Sequence, residues 1–469
     1  MLSFFSGALG QSLQPLVNQP PDTAGIGYLL TDGSVMFQGG AQSDWWKLTP
    51  NNKGSYVNGT WSQLASLPSG YVPLYFAGAV LGDGRLVIVG GEYNNGNFVL
   101  TNLAAIYDPK ADKWTALGHP KGWNYIGESP SVVLPDGKYL VGRKLDKSAA
   151  VLDPKTLTWT LVGTKGKSDF NAEEGWTLMP DDSVLTYDVK NAPHSERYIP
   201  SMEKWLSAGS TIVDLHSPHQ GGCIQYPGGC YPAPGEVGPG ILRTDGTVFA
   251  TGSTSNDGSG RAHTAIYHPS TGKWTVGPDF PNNDDAGDSY AVLLTNGRVL
   301  VLGNSGVLYE FDGKNLIPGP TANFFDSLLV LPTGQVIVGN EFGGSAQVYT
   351  STGKPLASWA PSITNYPHTV ARGSTYKISG TQFNGLSQAA AFGDENETAT
   401  NYPLVRITNN ASHHVFYAKT HDHSTMGVAT GKATVFTQFD VPAKMETGAS
   451  KLEVVANGIP SKRVSVTVK

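Results

Sequence analysis

The segments AVLGDGRLVIVGG (residues 79–91) and IYDPKADKW (residues 106–114) decide the fold prediction. Two apolar runs flank Asp83-Gly84, a pair that adopts the positive φ angles of a tight β-hairpin turn. The second run ends in Gly90-Gly91, where the absence of side chains lets neighbouring backbones approach closely. Trp114 then supplies a ring large enough to fill the space between adjacent sheets. The stretch is therefore predicted to form one small sheet of four short antiparallel strands.

The same pattern recurs seven times along the chain. Its turns lie at Asp32-Gly33, Asp83-Gly84, Asp136-Gly137, Asp181-Asp182, Asp245-Gly246, Asn296-Gly297 and Thr333-Gly334. Six copies also carry a tryptophan near the end of the repeat, at Trp61, Trp114, Trp159, Trp205, Trp274 and Trp359. Four short strands repeating every roughly 40–50 residues are typical of a propeller blade. We therefore predict an all-β chain with a seven-bladed kelch-type β-propeller over residues 1–364.

Composition excludes several other classes. The 469 residues include 57 Gly and 31 Pro, which suit a turn-rich all-β chain and would disrupt a helical bundle. The formal net charge is -6, and no Lys/Arg block provides an electrostatic footprint for nucleic acid. No apolar run approaches the roughly 18 residues of a membrane span. We expect no nucleic-acid or membrane partner, and we expect a monomer because a closed propeller has no free inner edges.

The pattern changes near residue 365. The segment 365–469 lacks the blade signature but contains alternating stretches such as residues 451–455 and 463–468. It is predicted to form a small immunoglobulin-like β-sandwich.

Seven kelch-like repeats followed by a sandwich of this size resemble the galactose oxidase and glyoxal oxidase family. The resemblance extends into the last segment, where residues 405–407, the pair His413-His414, and residues 439–442 and 458–461 occur in an order similar to that of the family. In that family a C-terminal loop places a copper-binding histidine in the propeller channel, and the resemblance puts His413 or His414 there. The family also needs a Tyr-His pair where this chain has Gly287-Asp288, and a cysteine cross-linked to a tyrosine. The resemblance therefore implies a relative in fold that lacks the radical-copper site.

A ring of acidic residues is predicted at one mouth of the channel. Each innermost strand starts near the propeller axis, so residues six to nine positions before each turn should line that mouth. These are Asp22, Tyr75, Glu128, Glu173, Glu174, Glu236, Asp284, Asp285, Asp288 and Asp326. Converging carboxylates repel one another and favour a cation, a cationic substrate, or Lys and Arg side chains. The alternative is that they bond to backbone N–H groups and hold the blades together.

Roles follow from this placement. Glu128, Glu174 and Tyr75 are the predicted catalytic residues, with a crowded glutamate as general base. The predicted substrate-binding acids are Glu173, Glu236, Asp288 and Asp326.

A second candidate site is the run SHHVFYAKTHDHST, which contains His413, His414, His421 and His423. In an extended strand His421 and His423 share one face, so two imidazoles could reach the same ion. Neutral imidazole binds zinc, copper, nickel or iron, and the sequence leaves the identity of this divalent metal open. The alternative is a polar loop whose histidines hydrogen-bond locally.

The Gly/Pro-rich insertion 216–235 carries the chain's two cysteines, Cys223 and Cys230. We predict a disulfide between them, which implies an oxidising compartment. The alternative is a zinc site formed by Cys223 with His216 and His219. Tyr226 and Tyr231 could stack on a sugar ring or simply anchor the loop.

The chain start, MLSFFSGALGQS, lacks the basic region of a signal peptide, and we expect a secreted protein whose signal has been removed. The function predicted first is a metal-dependent enzyme that acts on a carbohydrate or another polyhydroxylated substrate. The alternative is a carbohydrate-binding propeller of the lectin or adhesin kind. A copper-radical oxidase is a third possibility, but it requires the Tyr-His and Cys-Tyr elements that are missing.

Overall fold

The computed structural model describes residues 10–217, 223–226, 229–232, 235–323, 326–392 and 398–469, with backbone only at 223–226, 229 and 231–232. The all-β prediction is confirmed, since these residues form 43 strands and three single turns of 3₁₀ helix, with no α-helix among them. The 3₁₀ turns are Pro200–Met202, Pro281–Asn283 and Ala357–Trp359. None of the described helices is long and apolar enough to cross a membrane.

The first half of the chain forms one edge strand and four antiparallel sheets in sequence order. The edge strand is β1 (Ser12–Pro15), and the first sheet contains β2 (Gly27–Leu29), β3 (Val35–Gln38), β4 (Trp45–Thr49) and β5 (Thr60–Leu64). A side hairpin combines β6 (Pro73–Leu74) with β9 (Tyr93–Asn94) and β10 (Asn97–Phe98), and the second sheet contains β7 (Ala77–Val80), β8 (Leu86–Val89), β11 (Ala104–Asp108) and β12 (Lys113–Leu117). The third contains β13 (Ser131–Val133), β14 (Tyr139–Gly142), β15 (Ala149–Asp153) and β16 (Thr158–Val162). The fourth contains β17 (Thr177–Leu178), β18 (Val184–Tyr187), β19 (His194–Ile199) and β20 (Lys204–Ser210).

Three more sheets complete the repeat. After the hairpin β21 (Cys223–Tyr226) and β22 (Gly229–Pro232), the fifth sheet contains β23 (Val237–Leu242), β24 (Val248–Thr254), β25 (Ala262–His268) and β26 (Lys273–Val276). The sixth contains β27 (Ala291–Leu293), β28 (Val299–Leu302), β29 (Val307–Phe311) and β30 (Leu316–Thr321). The seventh contains β31 (Leu328–Val330), β32 (Val336–Val338) and β33 (Gln347–Thr350), and β1 supplies its outermost strand.

The sheets are arranged radially as a β-propeller. The first strands of neighbouring sheets contact one another, including β2 with β7 and β2 with β31. The ring is closed by pairing the two ends of the repeat, because β1 joins β33 with Ser12 opposite Thr350. The closure leaves the inner strands without free edges.

Tryptophans on the outermost strands join neighbouring sheets. The indole N–H groups of Trp61, Trp114, Trp159 and Trp274 donate to the carbonyl oxygens of Asn18, Ala65, Gly118 and Ala208, at 2.9, 3.1, 2.6 and 3.1 Å respectively. Each acceptor lies in the outermost strand of the preceding sheet or within three residues after it. The repeated Trp of the sequence is therefore a repeated hydrogen bond between sheets. Trp205 departs from this pattern, since its buried indole nitrogen has no partner among the described residues.

The C-terminal segment forms a layered sheet structure of its own. Its strands are β34 (Ser362–Asn365), β35 (Thr369–Val370), β36 (Thr375–Thr381), β37 (Ala390–Ala391), β38 (Leu404–Asn409), β39 (Val415–His421), β40 (Val435–Asp440), β41 (Gly448–Ala456), β42 (Ile459–Pro460) and β43 (Val464–Val468). The first part of β39 pairs with β38 and its last part pairs with β40, so this strand connects two sets of strands. A core that includes Ile378, Ile407 and Phe439 lies among them. The immunoglobulin-like assignment and the boundary after residue 364 remain predictions.

The C-terminal strands pack against the hairpin-turn face of the propeller. Thr420 N–H donates to the carbonyl of Thr31, and Met426 N–H donates to that of Pro135. The ring of Tyr417 lies directly against Gly33, at the first hairpin turn. The opposite face, where the inner strands begin, is the one that the acidic ring was predicted to line.

One C-terminal segment enters the ring of sheets. β37 pairs antiparallel with the inner strand β27, with Ala391 opposite Ala291. The Gln388 side-chain oxygen accepts from the N–H of Leu178 in the fourth sheet at 2.7 Å, so one short segment bridges two sheets. Phe392 then packs on Tyr290, with ring centroids 4.6 Å apart.

The contact between Gly33 and Tyr417 generates a stability prediction. Gly33 and Gly137 occupy equivalent turns at φ angles of 77° and 86°, but a Cβ at Gly33 would overlap the Tyr417 ring, whereas none of the described atoms lies within 4 Å of a Cβ at Gly137. We expect Gly137→Ala to lower the free energy of unfolding by about 1–2 kcal/mol through backbone strain alone. We expect Gly33→Ala to cost about 1–3 kcal/mol more because it also overpacks the contact. Urea denaturation of both variants measures the difference, and equal losses would show that the C-terminal strands do not press on this turn.

Candidate functional site

Four of the predicted acids gather at the mouth of the ring. Glu128, Glu173, Asp288 and Asp326 lie shortly before the inner strands β13, β17, β27 and β31 respectively. Glu173 and Asp288 adopt positive φ angles of 60° and 54°, which turn the chain sharply as it enters each inner strand. The side chains of Glu128, Glu173 and Asp326 are buried, and that of Asp288 is partly exposed.

Three further residues at the mouth were not predicted. Glu92, Lys144 and Glu341 each lie two positions after the glycine that ends or follows the second strand, at Gly90, Gly142 and Gly339. In an antiparallel hairpin the second strand ends beside the start of the first, so these positions return to the same mouth. The regular offset from the repeated glycine was available in the sequence.

We call this group the acidic mouth: the carboxylates of Glu92, Glu128, Glu173, Asp288, Asp326 and Glu341, with the ammonium of Lys144. Lys144 is 1% exposed. Its Nζ donates to Glu128 and, at 2.7 Å, to Glu173. One lysine therefore neutralises part of a six-carboxylate cluster, and the group retains a net negative charge when the acids are ionised.

Burial and mutual repulsion perturb the titration of this cluster. Burial raises the pKa of Asp288 to about 7, and the nearby charge of Glu173 adds to the effect while Lys144 opposes it. Burial raises the pKa of Glu341 to about 7 as well, with further contributions from Asp326 and Asp288. Burial also raises the pKa of Asp326 to about 7 and raises that of Glu92. Some of these groups are therefore neutral acids near pH 7.

Asp326 has an oxygen that lacks a protein partner. Its Oδ2 accepts from the N–H of Asn323 at 3.2 Å, whereas its buried Oδ1 has no hydrogen-bond partner among the described residues. A buried carboxylate oxygen is costly to leave unpaired. This atom is an available acceptor for a proton, a cation or a ligand hydroxyl.

Aromatic rings stand beside the acids. Tyr75, a predicted catalytic residue, packs edge-on against Tyr93 with ring centroids 6.0 Å apart. Tyr93 in turn meets Phe98 at 5.4 Å, and Phe98 is 40% exposed at the end of the side hairpin. Burial raises the pKa of the Tyr93 hydroxyl, and the charges of Glu92 and Glu128 in the acidic mouth add to the effect. We call Tyr75, Tyr93 and Phe98 the aromatic wall.

Glu174 is separated from its neighbour Glu173 and does not reach the mouth. It is fully buried between sheets, where both of its oxygens accept from Lys167 Nζ, at 2.9 and 2.7 Å. Glu174, Asp188 and Glu196 bring ligand atoms within 4.8 Å of one another. The Lys167 ammonium already bonds to Glu196 at 2.7 Å and lies 4.6 Å from the Trp205 ring, so the cation in this cluster is a lysine. Glu174 is therefore not part of the cluster at the mouth, and the catalytic role expected for it stays a prediction.

The histidines lie away from the acidic mouth. His414 contacts Glu446 and Asn52, and His421 contacts Asp422 and Asp440. His423 is buried, which lowers its pKa to about 3, and it donates its own backbone N–H to Gly82 near the second hairpin turn. His413 lies with His414 in the connection between β38 and β39, where it has a positive φ of 58°. The segment that enters the channel is the one around β37, because its small residues can pair with the inner strand β27.

The remaining predicted residues belong to the insertion. Glu236 lies directly before β23, and its backbone exchanges hydrogen bonds with Ser217. The hairpin of β21 and β22 places Cys230 opposite Gln225 and Cys223 opposite Pro232. The side chains of Cys223, Tyr226 and Tyr231 lie outside the described residues, as does His219. The disulfide and the sugar-stacking role therefore remain predictions.

Comparison with known proteins supports the fold. No family model matches the chain. A kelch-like protein, terF of Aspergillus terreus, is 32% identical over 92 residues, which is 19% of this chain and 19% of the relative. A fungal alcohol oxidase of the AA5 family, solved in complex with copper, superposes with a TM-score of 0.52 at 14% identity, covering 98% of this chain and all of that structure. A streptogramin B lyase covers 74% of this chain and all of that structure, with a TM-score of 0.49 at 13% identity.

These comparisons show a kelch-like β-propeller, and at such low identity they extend to the fold alone. The matched kelch segment also covers only about a fifth of its relative. The acidic mouth does not fit the copper centre of the oxidase family, because its described side chains are six carboxylates and one lysine, with no histidine or cysteine among them. Copper in proteins favours imidazole and thiolate ligands, whereas carboxylates suit hard cations.

The raised acid pKa values generate a pH prediction. Asp288 has a pKa of about 7 in the folded protein, above its unfolded value near 4. The folded state therefore binds more protons across this range, and this contribution to stability is full below about pH 4 and lost as the pH rises to about 7. We expect Asp288→Asn to raise the melting temperature relative to wild type at pH 8 but not at pH 4.5, as measured by calorimetry. The exposed Asp22→Asn controls for the loss of one negative charge, and a gain that is independent of pH would contradict the assignment.

Proposed function

We propose that the acidic mouth is the active site of an enzyme that acts on a carbohydrate or another polyhydroxylated compound. The observation that carries the proposal is a cluster of six carboxylates, two of them bonded to the ammonium of Lys144, beside an aromatic wall. The hydroxyl groups of a sugar donate hydrogen bonds to carboxylates. The apolar face of a sugar ring packs against aromatic side chains.

The acids fall into two chemical groups. Glu128 and Glu173 contact Lys144, and a neighbouring ammonium favours the ionised form of a carboxyl group. Asp288 and Glu341 lie further from this lysine and have a pKa of about 7, so they hold a proton that can be released near neutral pH. Carboxyl groups whose environments separate their pKa values are suited to acid and base roles in one reaction.

The residues then perform acid–base cleavage. Asp288 or Glu341 donates a proton to the departing oxygen of the substrate, while an ionised glutamate beside Lys144 accepts a proton from water or from a carbon of the sugar ring. Removal of a proton from water gives hydrolysis, and removal of a proton from a ring carbon gives elimination. Tyr93 and Phe98 would hold the ring of the substrate against the wall.

A divalent cation is the further component that these groups can hold. Carboxylate oxygens are ligands of calcium, magnesium and manganese, and the unpaired Oδ1 of Asp326 supplies one such atom. The cation would polarise a substrate hydroxyl and neutralise the remaining charge of the mouth. We place this activity outside the cell, consistent with the expected secretion.

A second candidate is carbohydrate binding without catalysis. Its supporting observation is the aromatic wall itself, because Phe98 is 40% exposed at the mouth and can bind a sugar ring without any proton transfer. The two functions differ in whether the protonated carboxyl groups of the acidic mouth take part in catalysis or only contribute to ligand affinity.

The activity test uses acidic-mouth variants on a panel of oligosaccharides and polysaccharides, with reducing ends and unsaturated products measured. We expect Asp288→Asn or Glu341→Gln to lower kcat about 100- to 10,000-fold with little change in KM, because each removes an acid without changing its shape. Asp22→Asn is the matched control and should retain the wild-type rate. Wild-type rates for both acidic-mouth variants would refute the enzyme assignment.

The binding test separates the lectin alternative. We expect Phe98→Ala to weaken ligand binding about 5-fold in titration calorimetry, since one stacking contact is worth about 1 kcal/mol. Binding that depends on Phe98, with no product from any ligand that binds, would favour the carbohydrate-binding function.

Calcium titration of the wild type and of Asp326→Asn tests the cation, and equal affinity for both would exclude Asp326 as a ligand.

A further inference from the structure

A second group of chemically coupled side chains lies at the outer edge of the fourth sheet. Asp188 directly follows β18, His194 opens β19, and Ser207 lies in β20. The Ser207 hydroxyl is 3.0 Å from His194 Nε2, and His194 Nδ1 is 2.7 Å from Asp188 Oδ2. The order hydroxyl, imidazole, carboxylate is the one by which proteins activate a serine nucleophile.

Hydrogen bonding defines the state of the imidazole. An ionised carboxylate can only accept, so Nδ1 of His194 carries the proton that points at Asp188. This leaves the lone pair of Nε2 facing the Ser207 hydroxyl, which can donate its proton there. The Ser207 oxygen also accepts from the N–H of Gly209 at 3.2 Å, which fixes its position.

Asp188 is rigidly held. It is 2% exposed, and its Oδ2 accepts a second hydrogen bond from Ser168 Oγ at 2.6 Å. Behind it lie Glu174 and Glu196, which both bond to the buried ammonium of Lys167.

The strand geometry presents Ser207 to solvent. A β-bulge between Ser195 and Glu196 shifts the register of β19 against β20, and bulges redirect the side chains next to them. Ser207 is exposed, and His194 keeps a third of its side-chain surface accessible. β20 is the edge strand of its sheet, and the N–H of Trp205 points outward to the carbonyl of Lys165. Because strand backbones alternate with a period of two, the N–H of Ser207 faces the same outer edge.

We propose that Ser207, His194 and Asp188 form a serine nucleophile site that cleaves small carboxylic esters. Ser207 Oγ attacks the ester carbonyl carbon as its proton passes to His194 Nε2, and the outward N–H of Ser207 donates to the developing oxyanion. The bond from carbon to the alkoxy oxygen breaks, and the alcohol leaves with the proton from His194. Water, deprotonated by His194, then hydrolyses the acyl-serine to the free acid and restores the hydroxyl.

This site is separate from the acidic mouth. Ser207 and His194 are catalytic residues in it, and Asp188 is a positioning residue that acts through His194. None of the three belongs to the six carboxylates or the aromatic wall, so either function can fail without the other.

The direct test is covalent labelling of the full-length protein. We expect diisopropyl fluorophosphate to add one phosphoryl group per chain, found by peptide mass spectrometry on Ser207. Ser207→Ala and His194→Gln should abolish this labelling, whereas Ser210→Ala should leave it unchanged, since Ser210 is an exposed serine of the same strand. Absence of labelling in the wild type, or labelling that persists in Ser207→Ala, would overturn the proposal.

Turnover distinguishes a catalytic role from a structural one. We expect the wild type to hydrolyse p-nitrophenyl acetate, with Asp188→Asn lowering kcat at least about 100-fold because His194 loses the partner that fixes its tautomer. Melting temperatures of all variants establish that they fold, and Ser210→Ala should retain full esterase activity. An Asp188→Asn variant that folds and retains the wild-type rate would contradict the role of Asp188.

Discussion

The hydrogen bond from a tryptophan indole to the preceding sheet is the interaction on which the ring depends. It recurs in the first, second, third and fifth sheets, each time from the same position of the outermost strand. A single sheet of four short strands cannot bury both faces, so each one is stable only against its neighbours. The bond specifies how far each sheet is rotated from the last, and the pairing of β1 with β33 then closes the circle.

Both proposed sites follow from this radial arrangement. Seven inner strands start at one mouth, so residues distant in sequence meet there, and five sheets contribute acids to the cluster that contains Lys144. The fourth sheet has a tryptophan at the same strand position, Trp205, but its indole does not make this bond. Its Trp205 ring instead lies beneath the ammonium of Lys167, and the buried charges around that lysine hold Asp188. The irregular repeat and the chemically unusual cluster therefore coincide.

The two buried lysines have different consequences. Lys144 sits among acids that are partly open to solvent, where a ligand or a cation can complete the charge balance. Lys167 is enclosed, and its three hydrogen bonds to Glu174 and Glu196 leave no coordination position for an ion. Burying an ion pair is costly unless the geometry is good, so the enclosed cluster acts as a rigid support. The open one is suited to chemistry.

The repeat in the sequence determined the all-β fold and the propeller, because turn glycines and ring residues act locally and recur at a fixed period. It also placed Glu128, Glu173, Asp288 and Asp326 at the mouth, since the start of an inner strand can be counted back from its turn. It did not separate Glu173 from Glu174, because adjacent residues diverge only when the backbone turns at a positive φ. Nor could it show that the segment around β37, rather than the histidine run, enters the channel. The segment that enters the channel is the one that can pair with an inner strand. This pairing is decided only in the tertiary structure, because it joins residues that are far apart in the sequence.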